Sequence, residues 1–316
     1  MAARTRYAPD RGLTARMTAT MFLLGLVFVG FVALIVGLMS AYGASAAAIV
    51  LVAVLLGGGM AIGSLFYSDK IALRTAGAIE VTPEQAPELH GVVDRLCALA
   101  DMPKPRVAIA RSPIPNAFAT GRSADKAVLC VTTGLLDRLN KDELEGVLAH
   151  EMSHVAHKDV QVMTIASFLA IIAALLIRFS FYGELFGGGR GRGGNNGNLA
   201  IVMLAMMAVS IVVYAISFLL IRLLSRYREL AADRSGALLT GQPSALKSAL
   251  IKVSDQMNRI PTRDLRAAEP LNAFYFAPAM RLQSGASLST VFSTHPSLER
   301  RLAELDKVQQ QLGQAR

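Results

Sequence analysis

Long stretches without charge alternate along this chain with stretches that are rich in charge. No charged residue occurs between Arg16 and Asp69, an interval long enough for two membrane-spanning helices of about 20 residues each. Two more apolar stretches follow the central polar region. The pattern therefore predicts four spans, at residues 20–39, 45–66, 160–182 and 199–221.

The first apolar stretch has a second interpretation, a cleaved signal peptide. Four arginines precede it, and Ala44, Ser45 and Ala46 resemble a cleavage site. Signal peptides have an apolar core of about 7 to 15 residues, and this stretch is longer. We therefore interpret it as a span.

Basic residues near the ends of the predicted spans indicate which side of the membrane each loop occupies. With both termini in the cytoplasm, eleven of them fall inside and only Arg190 and Arg192 fall outside, as the positive-inside rule requires. The outer loop, Gly183–Asn198, has eight glycines among sixteen residues. Its Arg-Gly pairs also occur in RNA-binding segments, but the spans on both sides favour a flexible connector.

The composition agrees with a membrane protein. Hydrophobic residues make up 53% of the chain and charged residues 17%, against about 25% charged in soluble domains, and this apolar content excludes a disordered chain. The net charge of +9 suits nucleic acid or anionic lipid, and basic residues beside the spans favour lipid. Cys97 and Cys130 have no paired spacing, which excludes a disulfide framework and indicates a reducing compartment.

The two polar regions are expected to fold together into one cytoplasmic domain. The predicted organisation is an N-terminal tail and hairpin at 1–66, a first domain part at 67–159, two spans with their loop at 160–221, and a second domain part at 222–316. Helix-start patterns occur at Thr82–Gln85, for a helix that runs to about Ala100, and at Asn140–Glu143;. Short β-prone runs predict strands at Arg106–Ala110, Asn116–Gly121 and Ala127–Thr132;.

The second predicted helix carries the sequence His150-Glu151-Met152-Ser153-His154. Residues four apart lie on one helix face, so both imidazoles can bind one metal ion while Glu151 lies near a bound water. The competing interpretation is a pair of solvated histidines on an amphipathic helix. Five histidines in the whole chain make this pattern rare by chance, which favours the metal site.

A catalytic zinc takes three protein ligands, so a third ligand is needed. His157 lies two helical turns, about 10 Å, from His150 and cannot share a metal with both histidines. Glu229 is a better candidate because Asp233, four residues later, shares its helix face, and one can bind zinc while the other accepts a proton from a ligand imidazole. Taken alone, such a pair is most often a solvated helix face.

Four features together resemble the HtpX family of bacterial integral-membrane zinc metalloproteases, which are related to the CAAX prenyl endopeptidase. They are the HEMSH helix, the spacing of Glu229 and Asp233 in the extension of a span, Asn116-Ala117-Phe118 upstream, and Ser293-Thr294-His295-Pro296 near the end. The resemblance covers nearly the whole chain in order, including the four spans. One departure is Arg234-Ser235-Gly236, where small residues are commoner in the family.

The resemblance implies a fold class and a set of roles. The fold would be α+β, in a multi-pass α-helical membrane protein with a gluzincin-type zinc metalloprotease domain. One Zn²⁺ per chain would be bound by His150, His154 and Glu229, with Glu151 as catalytic base and Asp233 as hydrogen-bond partner of a ligand. The activity would be that of a zinc metalloendopeptidase in the bacterial inner membrane, in quality control and stress response.

The expected partners are polypeptide substrates, among them misfolded membrane proteins, and the lipid bilayer, with no nucleic acid. Two other classes stay open, a membrane chaperone or scaffold braced by zinc and a transporter. Structural zinc would need a fourth protein ligand. Apart from Arg178, the predicted spans hold no ionisable residue that would mark a transport pathway.

Two assignments have competing interpretations. His295 resembles the histidine of the family's His-Pro motif, which would stabilise an oxyanion, whereas a lone histidine before proline is usually a turn residue. The residues Asn116, Ala117, Phe118 and Ala119 are expected to bind substrate as an exposed strand edge. The alternative is an ordinary core strand with Phe118 buried.

Overall fold

The computed structural model describes residues 11–41, 58–59, 62–63, 66–67, 69–187, 196–259 and 295–314. The chain divides into two compact units. The apolar unit comprises Arg16–Ser64 and Val162–Leu224, and the polar unit comprises Met1–Ala15, Leu65–Gln161 and Ser225–Arg316. Most of the predicted second span, 45–66, and the centre of the glycine-rich loop lie outside the described residues, so the four-span layout and the domain boundaries stay predictions.

The described elements alternate between long apolar helices and short strands. In chain order they are α1 (Arg11–Ala41), β1 (Ala78–Glu80), α2 (Pro87–Ala100), β2 (Arg106–Ala110), β3 (Ala117–Thr120), β4 (Val128–Thr132), α3 (Thr133–Leu136), α4 (Lys141–Ala156), α5 (Asp159–Gly187), α6 (Asn196–Thr240), α7 (Pro243–Arg259) and α8 (Leu298–Gln314). A short 3₁₀ turn, Ala124–Lys126, separates β3 from β4.

Three of the described helices, α1, α5 and α6, are long and apolar enough to cross a membrane. They pack through buried side chains that include Phe31, Leu169 and Met206. Other large apolar side chains on the same helices are exposed, among them Phe22 and Ile165. An exposed apolar surface of this kind is unfavourable in water and favourable in contact with lipid.

Helix α6 is longer than a membrane is thick. Its 45 residues extend for about 68 Å at 1.5 Å per residue, against about 30 Å of hydrocarbon. The first charged residue after its apolar part is Arg222, and the polar unit takes up the helix from Ser225. The part of α6 that follows Arg222 therefore lies beyond the span, and it carries Glu229 and Asp233.

Four strands form one mixed sheet in the polar unit, in the order β1-β2-β4-β3. β2 and β4 are parallel, whereas β3 is antiparallel to β4 and lies at the edge of the sheet. The three predicted strands are present, and β1 is a fourth that the sequence analysis missed. Leu96, Leu129 and Leu148 pack in one core formed by helices and sheet. This α+β unit and the apolar helices confirm the α+β, membrane-helical part of the predicted fold class.

The two predicted helix starts have different outcomes. At Asn140 the capping box forms: Glu143 N–H donates to Asn140 Oδ1 at 2.9 Å, and Asn140 N–H donates to Glu143 Oε2 at 3.0 Å. Near Thr82 the predicted start is wrong, because α2 begins at Pro87. A proline disfavours helical geometry in the preceding residue, so Thr82–Ala86 form turns, and the predicted end at Ala100 is correct.

Candidate metal centre

Two imidazoles project from one face of α4 and meet at its buried side. The Nε2 atoms of His150 and His154 lie 3.3 Å apart, and the two rings meet edge to face. His150 is 1% exposed. Burial lowers the pKa of His150, and Asp233 opposes that shift without cancelling it;. A neutral imidazole is the form that binds a metal ion.

The polar end of α6 brings Glu229 to these histidines. Its Oε1 lies 3.4 Å from His154 Nε2, and its Oε2 lies 3.8 Å from His150 Nε2. One potential ligand atom from each of the three residues lies within 4.8 Å of the other two. His157 caps the end of α4 and is not a member of this group.

The spacing of these atoms fits a divalent metal ion. A tetrahedral zinc with nitrogen and oxygen ligands at about 2.0–2.1 Å has neighbouring ligand atoms about 3.3–3.4 Å apart. The His150–His154 and His154–Glu229 separations are 3.3 Å and 3.4 Å. Two imidazoles and one carboxylate also form a donor set that catalytic zinc sites use. The three residues can therefore hold such an ion.

Asp233 connects His150 to a buried arginine. Its Oδ1 lies 2.9 Å from His150 Nδ1. Arg301 donates two hydrogen bonds to the same carboxylate, from Nε at 2.7 Å and from Nη2 at 2.6 Å. Burial raises the pKa of Asp233, but Arg301 and His150 together hold it below its usual value. Asp233 is therefore an anion that can accept the Nδ1 proton of His150.

His154 has a matching arrangement that the sequence analysis did not predict. Its Nδ1 lies 2.6 Å from Oδ2 of Asp159, the first residue of α5. Arg228, on α6, binds the other carboxylate oxygen of Asp159. Arg228 and Asp159 are both buried. The Nδ1 atom of each histidine therefore contacts an aspartate, and an arginine binds each of these aspartates.

Glu151 lies beside the two histidines and is buried, with 5% exposure. The backbone N–H of Ala119, on β3, donates to Glu151 Oε2 at 3.2 Å. Burial raises the pKa of Glu151 to about 8, although the charge of His154 opposes the shift;. Such a carboxyl group can both take up and release a proton near neutral pH.

His295 binds the carboxylate of Glu229. Its Nδ1 lies 2.9 Å from Glu229 Oε2, and the imidazole is buried. Burial raises the pKa of Glu229, but His295 and the two α4 histidines hold it well below its usual value. The structure thus brings His295 to the candidate centre, although the sequence alone left it open as a turn residue.

The edge strand β3 presents part of its backbone to the candidate centre. Asn116 pairs with Thr132 through the hydrogen bond Thr132 N–H to Asn116 O, 2.9 Å. Hydrogen-bonded pairs alternate along an antiparallel ladder, so the N–H and C=O groups of Ala117 and Ala119 point away from β4. The Phe118 side chain is 3% exposed and packs in a core cluster. Among the described residues β3 is therefore an edge strand, and its Phe118 side chain is buried, as the core-strand alternative expects; binding of substrate along it stays a prediction.

Gly236 allows α6 to pass close to α4. A Cβ at this position would lie 2.8 Å from His150 N, 3.1 Å from the carbonyl carbon of Ala149 and 3.1 Å from His150 Cα. These are helix backbone atoms, which cannot rotate away as a side chain can. In the sequence alone, Gly236 is distinguished only as part of Arg234-Ser235-Gly236, which departs from the family pattern. Its role at the helix crossing becomes visible only when both helices are placed.

Comparisons with known proteins show which family the chain resembles. The family model described as Peptidase family M48 matches residues 83–309. Protease HtpX homolog 1 of Streptomyces coelicolor is 55% identical over 99% of this chain and 98% of the relative. Protease HtpX homolog 2 of Methanosarcina mazei is 51% identical over 98% of this chain and 99% of the relative.

One solved structure shows the same fold at low sequence identity. The crystal structure of S. mikatae Ste24p matches with a TM-score of 0.52 and 18% identity, over 94% of this chain and 67% of that chain. The predicted resemblance to HtpX is thereby confirmed. The family match includes the HEMSH helix, Glu229 and His295. The chain therefore belongs to peptidase family M48, and it is an integral-membrane metalloprotease that hydrolyses peptide bonds.

Proposed function

We propose that this chain is a zinc-dependent endopeptidase whose metal ion is held by His150, His154 and Glu229. The observation that carries the proposal is the convergence of two imidazole nitrogens and one carboxylate oxygen within 4.8 Å. This donor set favours zinc among the common divalent ions. When bound there, zinc supplies a Lewis acid that acidifies water and polarises the scissile carbonyl.

Glu151 is the residue that we assign to proton transfer. The Ala119 N–H holds Oε2, which orients the carboxylate and leaves Oε1 to accept a proton from the attacking water. Burial raises the pKa of Glu151, and a carboxyl group shifted toward neutral pH can hold this proton and then give it to the leaving amine. Asp233 orients His150 during both steps through the Nδ1 contact;.

His295 is assigned to the developing oxyanion. Its Nδ1 is engaged with Glu229 Oε2, so the ring is fixed next to a metal ligand. Nε2, on the other side of the ring, is then the atom that would donate to the oxyanion. The competing role, a purely structural turn before Pro296, would leave catalysis unaffected by a His295→Gln exchange.

Substrate is proposed to bind as an extended strand along Asn116–Ala119. The outward groups available for a new ladder are the N–H and C=O of Ala117 and the C=O of Ala119, because the Ala119 N–H already donates to Glu151. Among the described residues no strand pairs with this side of β3. Recognition through the backbone demands little of substrate side chains, which suits a protease that acts on unrelated proteins.

Backbone N-methylation of a peptide substrate tests this edge. Methylation at alternate positions near the cleaved bond should lower kcat/KM by about fivefold each, because a hydrogen bond contributes about 1 kcal/mol. Methylation at the positions in between should have a much smaller effect, because those N–H groups would point away from β3. Equal effects at every position would contradict pairing with the strand.

Removal of metal tests the proposed zinc chemistry. The purified full-length protein should contain about one zinc per chain, and a chelator should abolish peptide cleavage. Addition of zinc to the chelated protein should restore it. A metal-free protein that cleaves at the full rate would overturn the proposal, and full recovery with magnesium but not with zinc would overturn the choice of metal.

The proposed substrates are membrane or membrane-proximal proteins, including misfolded ones, in the quality control and stress response of a bacterial inner membrane. The apolar helices that belong to the same chain as the protease support this choice. Eleven basic residues against two across the predicted loops favour cytoplasmic termini and a cytoplasmic protease domain. A cytoplasmic reporter fused after Arg316 should be active, and activity of an extracytoplasmic reporter there would contradict this orientation.

A further inference from the structure

The buried carboxylate of Asp159 links His154, on α4, to Arg228, on α6. Asp159 Oδ2 lies 2.6 Å from His154 Nδ1, and Asp159 Oδ1 is bound by Arg228. The exposed fractions of Asp159 and Arg228 are 8% and 4%. The two oxygens of one carboxylate are therefore divided between an imidazole and a guanidinium group.

The turn between α4 and α5 places the Asp159 carboxylate next to His154. Helix α4 ends at Ala156, and Lys158 adopts a positive φ of 57° before α5 begins at Asp159. Crowding of the Cβ disfavours this left-handed conformation in a residue other than glycine, so the turn is retained against its backbone preference. The result is an aspartate that faces back toward His154, five residues earlier.

Burial of this carboxylate needs compensation. An unpaired buried charge is strongly destabilising, and Arg228 supplies the opposite charge. Arg228 also lies 3.5 Å from the backbone carbonyl oxygen of His157 through Nη2, next to the same turn. Because Arg228 immediately precedes Glu229 on α6, it connects the turn after α4 to the helix that carries the third candidate ligand.

We propose that Asp159 and Arg228 are positioning residues for His154, with Asp159 as acceptor of its Nδ1 proton and Arg228 as the group that fixes the Asp159 carboxylate. This inference rests on the proposed metal site. With Nδ1 protonated, the lone pair of His154 is on Nε2, the atom that faces His150 and Glu229. A carboxylate behind a metal-binding imidazole both selects this tautomer and increases the basicity of the ring.

Zinc release from the full-length protein in detergent tests the assignment of Asp159. Asp159→Asn keeps the shape but removes the charge, and the zinc affinity, measured by competition with a chelator, should fall by about 10–100-fold. The absorption bands of cobalt substituted for zinc should shift, because the His154 ring changes its basicity. Wild-type affinity and an unchanged cobalt spectrum would overturn the proposal.

A matched variant separates positioning from general destabilisation. Glu143 is also a buried carboxylate on α4, and it pairs with Lys252 at 2.7 Å and accepts from Ser248 at 2.6 Å, away from the metal group. Glu143→Gln should lower thermal stability but leave zinc affinity within about twofold of wild type. An equal loss of zinc affinity in Glu143→Gln and Asp159→Asn would contradict a specific role for Asp159.

The dependence of Arg228 on Asp159 is tested by a double-mutant cycle. Arg228→Gln alone should weaken zinc binding, but it should add little to Asp159→Asn if the arginine acts through the aspartate. Fully additive losses would overturn this part of the proposal. Should Asp159→Asn fail to fold, Arg228→Lys carries the test, with faster zinc release expected and an unchanged rate as the contrary result.

Failure of the proposed function gives a different result. If the wild-type protein binds no zinc, the metal site itself is refuted and this inference falls with it. If the wild type binds zinc and cleaves peptides while both Asp159→Asn and Arg228→Gln bind zinc like the wild type, only the positioning role is refuted.

Discussion

Replacement of Glu151 by glutamine should leave a protein that binds zinc but hardly cleaves peptides. Glutamine has nearly the same size and can still accept the Ala119 N–H through its amide oxygen, so the buried packing is retained. It cannot take up a proton from water. General base catalysis contributes about 10²–10⁴-fold to a rate, and kcat should fall by that factor while the zinc content stays at about one per chain.

Glu145→Gln is the matched control for this substitution. Glu145 lies on the same helix, is 2% exposed and faces Arg95 at 3.3 Å, away from the candidate centre. Its exchange should change stability while kcat stays near the wild-type value. Loss of zinc from Glu151→Gln would make Glu151 a ligand, and normal cleavage by that variant would remove it from proton transfer.

Addition of one methyl group at Gly236 should damage both stability and metal binding. The Cβ would lie 2.8 Å from His150 N, so α6 must move away from α4. Overpacking of this kind costs about 1–3 kcal/mol. Because Glu229 and Asp233 precede Gly236 on the same helix, their distances to the histidines increase, and zinc affinity should fall by at least about tenfold.

Gly91 provides the comparison for Gly236. It lies within α2, is exposed, and nothing lies within 4 Å of a Cβ placed there. Gly91→Ala should raise stability by up to about 1 kcal/mol, because alanine restricts the unfolded chain and favours the helix. Thermal unfolding and zinc titration of both variants check the pair. Stabilisation of Gly236→Ala with intact zinc affinity would contradict the close helix crossing.

Local signals explain which parts of the fold were predictable. The capping box at Asn140 joins residues three positions apart, and the HEMSH spacing is a property of one helix, so each can be found in the sequence. The start near Thr82 failed because Pro87, a few residues later, imposes its own local geometry. β1 has three residues and gains its order from pairing with β2, which a short run cannot indicate.

Contacts between distant segments explain which parts of the site were not predictable. Arg301 reaches Asp233 across 68 positions, and Arg228 reaches the carboxylate next to α4 from another helix. Neither contact joins residues at a fixed and short spacing in the sequence, so neither can be predicted from a sequence pattern. The link between Ala119 N–H and Glu151 is similar, and it means that a proline at position 119 would disturb the proposed base as well as the strand edge.

The division of the proposed ligands between α4 and α6 has a consequence for the synthesis of the protein. Chains emerge from the ribosome in N-to-C order, so His150 and His154 are made before α5 and the apolar part of α6, and Glu229 is made after them. A nascent chain that stops before Glu229 would hold two of three ligands and no complete hydrolytic centre. The order of the segments thus means that the complete set of proposed ligands exists only after the apolar helices α5 and α6 have been made.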